Sequence, residues 1–379
     1  MLFFRFIKEL LLPGQVTGPQ TFRRLALLSL FLPTFFLLQA VHWLCFVLDE
    51  LLFPGYRKVQ VWEPLFVVGL PRSGTSFLQR VLARDTDRFT TTRLWELLFA
   101  PSILQRKIIL ALATLDRLLG RPLGRLFRRA EKGGFRWMEA VHQVSFSDPE
   151  EDYFLLLPAF ACFLLVVPFP YQDTLWELSR FDLLEPAKRK PLMTFYYRAV
   201  QKHLYLAGPG KRLLSKNPSF TPFIRSLQET FPDARFLCCT REPKKVVPSL
   251  LSSIRSGAEL FGYDVAEPRI RDRYVEMLSF FSRHAPSALS SLPPDHHAFV
   301  PLPALKDDLE GFVLGIYQRF GWTPQGGFRE RLQEEASRSR AYTSDHHYTL
   351  EEFGLSPEDL EGRFDTLPLE FDPQGEVAP

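Results

Sequence analysis

Anion chemistry is written most plainly in GLPRSGTS, residues 69–76. Gly69, then four residues, then Gly74, Thr75 and Ser76 reproduce the spacing of a phosphate-cradling loop. In such a loop backbone N–H groups converge on an anion, and the following helix adds the positive end of its dipole. A nucleoside triphosphatase carries lysine where this chain has Thr75; here the cation stands earlier, at Arg72, beside Ser73. That shift suits a nucleotide without a triphosphate, with one guanidinium near a bridging oxygen. Arg241, and Ser249 eight residues later, offer a second anion site. Two such sites match a nucleotide phosphorylated separately on its 5′ and 3′ positions. Asp148, Glu150, Glu151 and Asp152 have no spaced His or Cys companions, so no metal is expected; they read as a cluster stabilised at a helix N-terminus.

The elements that must carry these residues follow from the apolar pattern. Residues 65–68 form a β-branched and aromatic run ending at Gly69, and helical spacing follows over 77–82. The order strand, turn, helix recurs in RFLCCT, REPKK and VVPSLLSSI, which places Arg241 at a strand's C-terminal end, where such sheets bind ligands. Alternation of this kind predicts an α/β, P-loop-like three-layer fold with a central, mainly parallel sheet, plus N-terminal apolar helices. Residues 103–119 are helical in pattern, and 153–170, broken by Pro158 and Pro168, read as core or acceptor-pocket lining.

The chain has 379 residues, 46% of them hydrophobic and 23% charged, with 46 basic against 43 acidic side chains, which excludes a disordered or collagen-like chain and a dedicated nucleic-acid binder. Four cysteines, two of them adjacent at Cys238 and Cys239, make neither a disulfide framework nor a CxxC site. Thirty-six phenylalanines suggest apolar surface beyond the needs of a core. Residues 25–48 carry no charge and are long enough to span a bilayer, yet Pro33, Gln39 and His42 also fit a kinked pair of helices lying in the interface or docked on the globular part. The expected division is therefore a membrane-associated segment over 1–58 and an enzyme domain over 59–379. Nine basic residues against three acidic ones over 101–140 fit a solvated face or a patch for anionic headgroups.

PRSGTSFL and RFLCCTREPKKVVPSLLSS resemble the 5′-phosphosulfate and 3′-phosphate motifs of the sulfotransferase superfamily, which uses 3′-phosphoadenosine 5′-phosphosulfate (PAPS). SDPEEDYFLL, LLSKNPSF and HHYTLEEFGL are similar to elements of its bacterial-type branch, related to the tyrosylprotein sulfotransferases. The likeness covers roughly residues 63–364, although LPALKDDLEGF stands where that branch usually has Y-E-D-L. It implies PAPS as sulfuryl donor, with Arg72, Ser73, Gly74, Thr75 and Ser76 around the 5′-phosphosulfate and Arg241 and Ser249 on the 3′-phosphate. By the same resemblance Glu96, in RLWELL, is the base, with His142, in EAVHQVSF, as its rival. Lys216, in SKNP, steadies the transferring group, and Arg72 the departing charge.

The resulting expectation is a sulfotransferase moving a sulfuryl group to a hydroxyl or amine of an acceptor, lipid or glycan in character, at a membrane. A P-loop kinase-like phosphotransferase and a non-catalytic nucleotide-binding membrane protein are the alternatives. Thr75 in the lysine position argues against the first, and the intact Arg72, Ser73, Thr75, Arg241 and Ser249 against the second. The one asparagine, Asn217, precedes proline, so there is no N-glycosylation sequon. That favours a cytoplasmic-facing enzyme over one in the Golgi lumen.

Overall fold

A computed structural model describes residues 2–11, 22–122, 124, 146, 148–340 and 348–365. Five parallel strands form one sheet: β1 (Leu65–Gly69), β2 (Phe89–Thr90), β3 (Arg212–Lys216), β4 (Arg235–Thr240) and β5 (His297–Pro301), in the order β2-β3-β1-β4-β5. Every residue of β1, β3 and β4 is buried, as strands covered on both faces must be, which is why β1 and β4 read as unbroken apolar runs. Val67 pairs with Lys216 on one side of β1, and Gly69 with Cys239 on the other. The chain leaves β1 toward β2 and β3 and later returns to its opposite flank as β4. The crevice between β1 and β4 is thus the switch point at which open α/β sheets take their ligands. The four cysteines are free and buried.

The helices that bear on the site are α1 (Leu2–Leu11), α2 (Phe22–Leu52), α3 (Thr75–Leu82), α4 (Leu94–Phe99), α5 (Ile103–Leu118), α6 (Pro186–Ala207), α7 (Pro243–Leu260) and α8 (Pro268–Leu289). Among the described residues α2 is the one helix long and apolar enough to cross a membrane, and it runs continuously through Pro33. Gln39, His42, Cys45, Phe46 and Asp49, at helical spacing, are its buried stripe, while Leu37, Leu44, Val47 and Leu51 are exposed. The Asp49 carboxylate accepts from the N–H groups of Ile103 (3.0 Å) and Leu104 (2.9 Å) and pairs with Lys202 Nζ at 2.9 Å, so the end of α2 is fastened to the starts of α5 and the body of α6. Residues 153–170 are core: 3₁₀ segments Asp152–Ala159 and Phe163–Val166 bury Leu155, Leu156, Leu165 and Val166.

Candidate active site

Arg72 follows β1, Glu96 lies in α4 after β2, Lys216 ends β3 and Arg241 follows β4, so one edge of the sheet gathers residues far apart in the chain. At β1 the chain must turn sharply beside β4. Gly69 adopts φ 113°, and a Cβ there would lie 2.1 Å from the Cys239 carbonyl oxygen, so only glycine permits the approach. Its N–H donates to Thr221 Oγ1 at 2.8 Å, and that hydroxyl donates back to the Gly69 carbonyl at 2.8 Å. Ser73 is fully buried; its hydroxyl donates to the Leu70 carbonyl and reaches the Cys239 carbonyl at 3.1 Å. Ser73 therefore holds the loop together. Gly74, at φ 89°, precedes α3 without a side-chain cap, which leaves the first N–H groups of the helix, beside the hydroxyls of Thr75 and Ser76, directed to an anion.

Arg72 sits at φ 64°, a conformation costly for a residue with a Cβ and found chiefly where function requires it. Arg241 Nη1 donates to the Arg72 carbonyl oxygen at 2.9 Å and so braces that turn from β4. Arg72 Nε in turn donates to Ser249 Oγ, on α7, at 3.1 Å. An accepting hydroxyl keeps its own proton to donate, so Ser249 can still serve an anion. Burial lowers the pKa of both guanidiniums, and at Arg241 the adjacent Arg72 lowers it further, a concentration of positive charge that an anion relieves. Tyr348, from the C-terminal signature, lies close enough to act electrostatically on Arg72.

Lys216 closes β3 with its side chain only 4% exposed. Its Nζ lies 2.8 Å from Glu151 Oε1 and 3.8 Å from Glu150 Oε1. Asp152 accepts from Ser215 Oγ at 2.7 Å and from the Tyr196 hydroxyl, and burial pushes its carboxyl up to about 6. Burial also raises Glu151, against the opposing pull of Lys216. The acidic cluster does stand at a helix N-terminus, since Glu151 and Asp152 open the 3₁₀ segment Asp152–Ala159; in addition Glu150 and Glu151 face Lys216 of β3, and Asp152 is held by Ser215 and Tyr196.

Glu96 lies in the first turn of α4. Its Oε2 accepts from the Arg93 N–H at 3.0 Å, the carboxylate half of a capping box, and stands 3.7 Å from Arg106 and 3.9 Å from His203. Arg106 Nη1 can only donate, so at 2.9 Å it fixes His203 Nδ1 as the acceptor and leaves Nε2–H to donate to Thr90 Oγ1 at 3.0 Å. Burial, then Arg106, hold His203 well below the usual histidine pKa, and among the described residues Arg106 is the cation beside Glu96.

The structure thus joins Arg72, Ser249 and Arg241 in one contact chain and places Ser73, Gly74, Thr75 and Ser76 in the adjoining loop. Lys216 and Glu96 belong to two separate clusters on the same edge of the sheet. His142 lies outside the described residues. Sequence reasoning missed Glu151 as the partner of Lys216, the contacts of Asp152 with Ser215 and Tyr196, and those of Arg106 with Glu96 and His203. A carboxylate pair before an apolar 3₁₀ run was the available signal for the first two. No group of three or more potential metal ligands occurs among the described residues.

The model of the sulfotransferase family matches residues 64–325. Over 304 residues, 78% of this chain and 72% of the relative, the sequence is 23% identical to omega-hydroxy-beta-dihydromenaquinone-9 sulfotransferase Stf3 of Mycobacterium bovis and, equally, of Mycobacterium tuberculosis. The fold is similar to the crystal structures of sulfotransferase STF1 from Mycobacterium tuberculosis H37Rv (TM-score 0.64, 22% identity, 83% of this chain and 80% of that one) and of STF9 from Mycobacterium avium (TM-score 0.65, 20% identity, 84% and 79%).

Proposed function

The chain belongs to the sulfotransferase family, and from that premise we propose that it takes the sulfuryl group of PAPS and passes it to a hydroxyl, or an amine, of a lipid or glycan held at a membrane. The observation that carries this reading is the contact chain Arg241, Arg72, Ser249, which couples the loop after β1 to the loop and helix after β4. The donor set suits the group: two partly buried guanidiniums, the hydroxyls of Thr75, Ser76 and Ser249, and an uncapped helix N-terminus. When bound, PAPS supplies a sulfuryl group whose S–O bond to the 5′-phosphate breaks as the acceptor's O–S bond forms. Arg72 and the N–H groups at the start of α3 stabilise the negative charge that builds on the leaving side. Arg241 and Ser249 hold the 3′-phosphate. Lys216 has three N–H donors, so it could keep Glu151 while offering another to the sulfuryl group. Glu96 takes the acceptor's proton.

The mycobacterial relatives named for omega-hydroxy-beta-dihydromenaquinone-9 support a lipid acceptor. Residues 1–58 are assigned the membrane-facing role and 59–379 the transferase. Leu37, Leu44, Val47 and Leu51 of α2 and Leu112, Leu115 and Leu118 of α5, all exposed, support an interfacial helix pair on a cytoplasmic-facing enzyme, since α2 is simultaneously docked by its other stripe. The kinase alternative lacks a lysine at Thr75. The test is thermal stabilisation of the full-length protein by 3′-phosphoadenosine 5′-phosphate against ADP, where ligand at a hundred times its dissociation constant adds about 2.7 kcal/mol. Preference for the 3′-phosphorylated nucleotide, lost in Arg241→Ala, is expected. Equal stabilisation by ADP would overturn the two-phosphate reading.

A further inference from the structure

Between α2 and α6 lies a cavity of about 1040 Å³ that stands apart from the reaction centre: none of its lining residues belongs to the contact chain of Arg72, Ser249 and Arg241 or to the clusters of Lys216 and Glu96. Its two ends differ in chemistry. At one, Trp43 of α2 meets Phe195 of α6 with ring centroids 5.7 Å apart, and Trp43 Nε1 donates to the Pro158 carbonyl oxygen at 3.0 Å, so the polar atom of that indole is already satisfied. At the other stand Arg5 of α1, Glu177 of the 3₁₀ segment Glu177–Leu183 and Lys188 of α6. Between them the wall is apolar, with Phe36, Phe160, Phe181 and Leu192. Lys188 and Phe195 lie on one face of α6, about 10 Å apart at 1.5 Å per residue.

Glu177 is shared unequally at the charged end. Arg5 donates to both of its oxygens, at 2.8 and 2.6 Å, whereas Lys188 Nζ is 3.9 Å away, beyond hydrogen-bond distance. Two cations of the lining thus face one carboxylate, which leaves an excess of one positive charge. An apolar cavity with such an end matches an amphiphile whose head carries one negative charge. The mouth shows where that molecule comes from. Ala40 lines the cavity and is exposed, and on α2 it lies between Leu37, three residues before, and Leu44, four residues after, which are exposed as well. The cavity therefore opens onto the outward apolar stripe of α2.

We propose that this cavity seats a bilayer lipid of one net negative charge, with an acyl chain running along α6 toward Trp43 and Phe195 and the headgroup on Lys188 and Arg5. The source of the lipid rests on the membrane-facing reading of α2, but its binding is tested without a bilayer. Full-length protein in an uncharged detergent is titrated with dioleoyl phosphatidylglycerol, phosphatidylserine and phosphatidylcholine, and one-lipid adducts are counted by native mass spectrometry. The two anionic lipids are expected to bind alike and about fivefold more tightly than the zwitterionic one, the worth of about one cationic residue at a headgroup. Lys188→Gln, which cancels the excess charge, should erase that preference, and Lys188→Glu should reverse it. The double variant Ala40→Trp/Ala187→Trp, at exposed positions of the lining, should weaken all three lipids by about tenfold. An unchanged thermal midpoint in lipid-free detergent identifies each variant as folded. Equal binding of the three lipids by the wild type, an anionic preference that persists in both Lys188 variants, or undiminished adducts in the obstructed protein would overturn the proposal. A wild type that forms no one-lipid adduct yet floats with anionic liposomes would also overturn it and leave the membrane reading standing. One that forms the adduct but does not float would keep the site and strike that reading instead.

Discussion

Replacing Lys216 separates what that residue does for the fold from what it does for the reaction. Its Nζ is 2.8 Å from Glu151 in a setting where the lysine is 4% and the glutamate 22% exposed. Removing one member of a buried ion pair generally costs about 3–5 kcal/mol, because the other charge is left without compensation. Glu151 keeps a fifth of its surface in water and Glu150 lies nearby, so Lys216→Met is expected to cost about 3 kcal/mol, the lower end of that range. Adding Glu151→Gln removes the stranded charge, and the double variant should recover all but about 1 kcal/mol. Denaturant unfolding of the four proteins completes the cycle. Sulfuryl transfer, followed with radiolabelled donor, should behave differently. Turnover falls about a hundredfold in Lys216→Met and stays low in the double variant, because the cation facing the transferring group is absent in both. A double variant that regains both stability and turnover would reduce Lys216 to a structural residue, and the charge-stabilising role would have to pass to Arg72 alone.

Three further outcomes are expected. Glutamine can accept the same Arg93 N–H, so Glu96→Gln should keep the thermal midpoint and nucleotide binding while turnover falls about a hundredfold or more; full turnover would remove Glu96 as the base. Asp152, raised from 3.8 to about 6 by burial, contributes stability that is complete below the unfolded carboxyl range and is lost as pH rises through about 6, by roughly 3 kcal/mol. Asp152→Asn should therefore gain on the wild type between about pH 4 and 7, whereas parallel pH curves would contradict the burial argument. Vesicle flotation should recover the wild type with anionic liposomes and lose Leu44→Asp/Leu112→Asp to the pellet; co-flotation of that variant would place the membrane contact elsewhere.

The strands that frame the site were legible because a doubly covered parallel strand has to be continuously apolar, and LFVVG and RFLCCT are. Arg72 and Arg241 were legible because each stands just past such a run. The carboxylates before Tyr153 were legible as a helix start, but not the partner of Glu151: Glu151 and Lys216 are 65 residues apart, and nothing local announces that β3 will bring them together. The cap of α4 was hidden because Arg93 occupies a position where Ser, Thr, Asp or Asn is the usual signal. In α2 the interruptions Gln39 and His42 were noticed as defects in a membrane span. They are members of the stripe that docks on the enzyme, and together with Asp49 they explain why so apolar a helix contains polar residues at helical spacing.

Asp49 has a practical consequence for anyone preparing a soluble form of this enzyme. The carboxylate that caps α5 and neutralises the buried Lys202 is donated by the very helix that a designer would delete as a detachable anchor. Truncation after that helix would leave two backbone N–H groups and an ammonium group facing one another without their acceptor. The truncated fragment would then be less stable than the full-length protein. Solubility is better sought by polar substitution on the outward stripe of α2, keeping its inward stripe and its final turn in place.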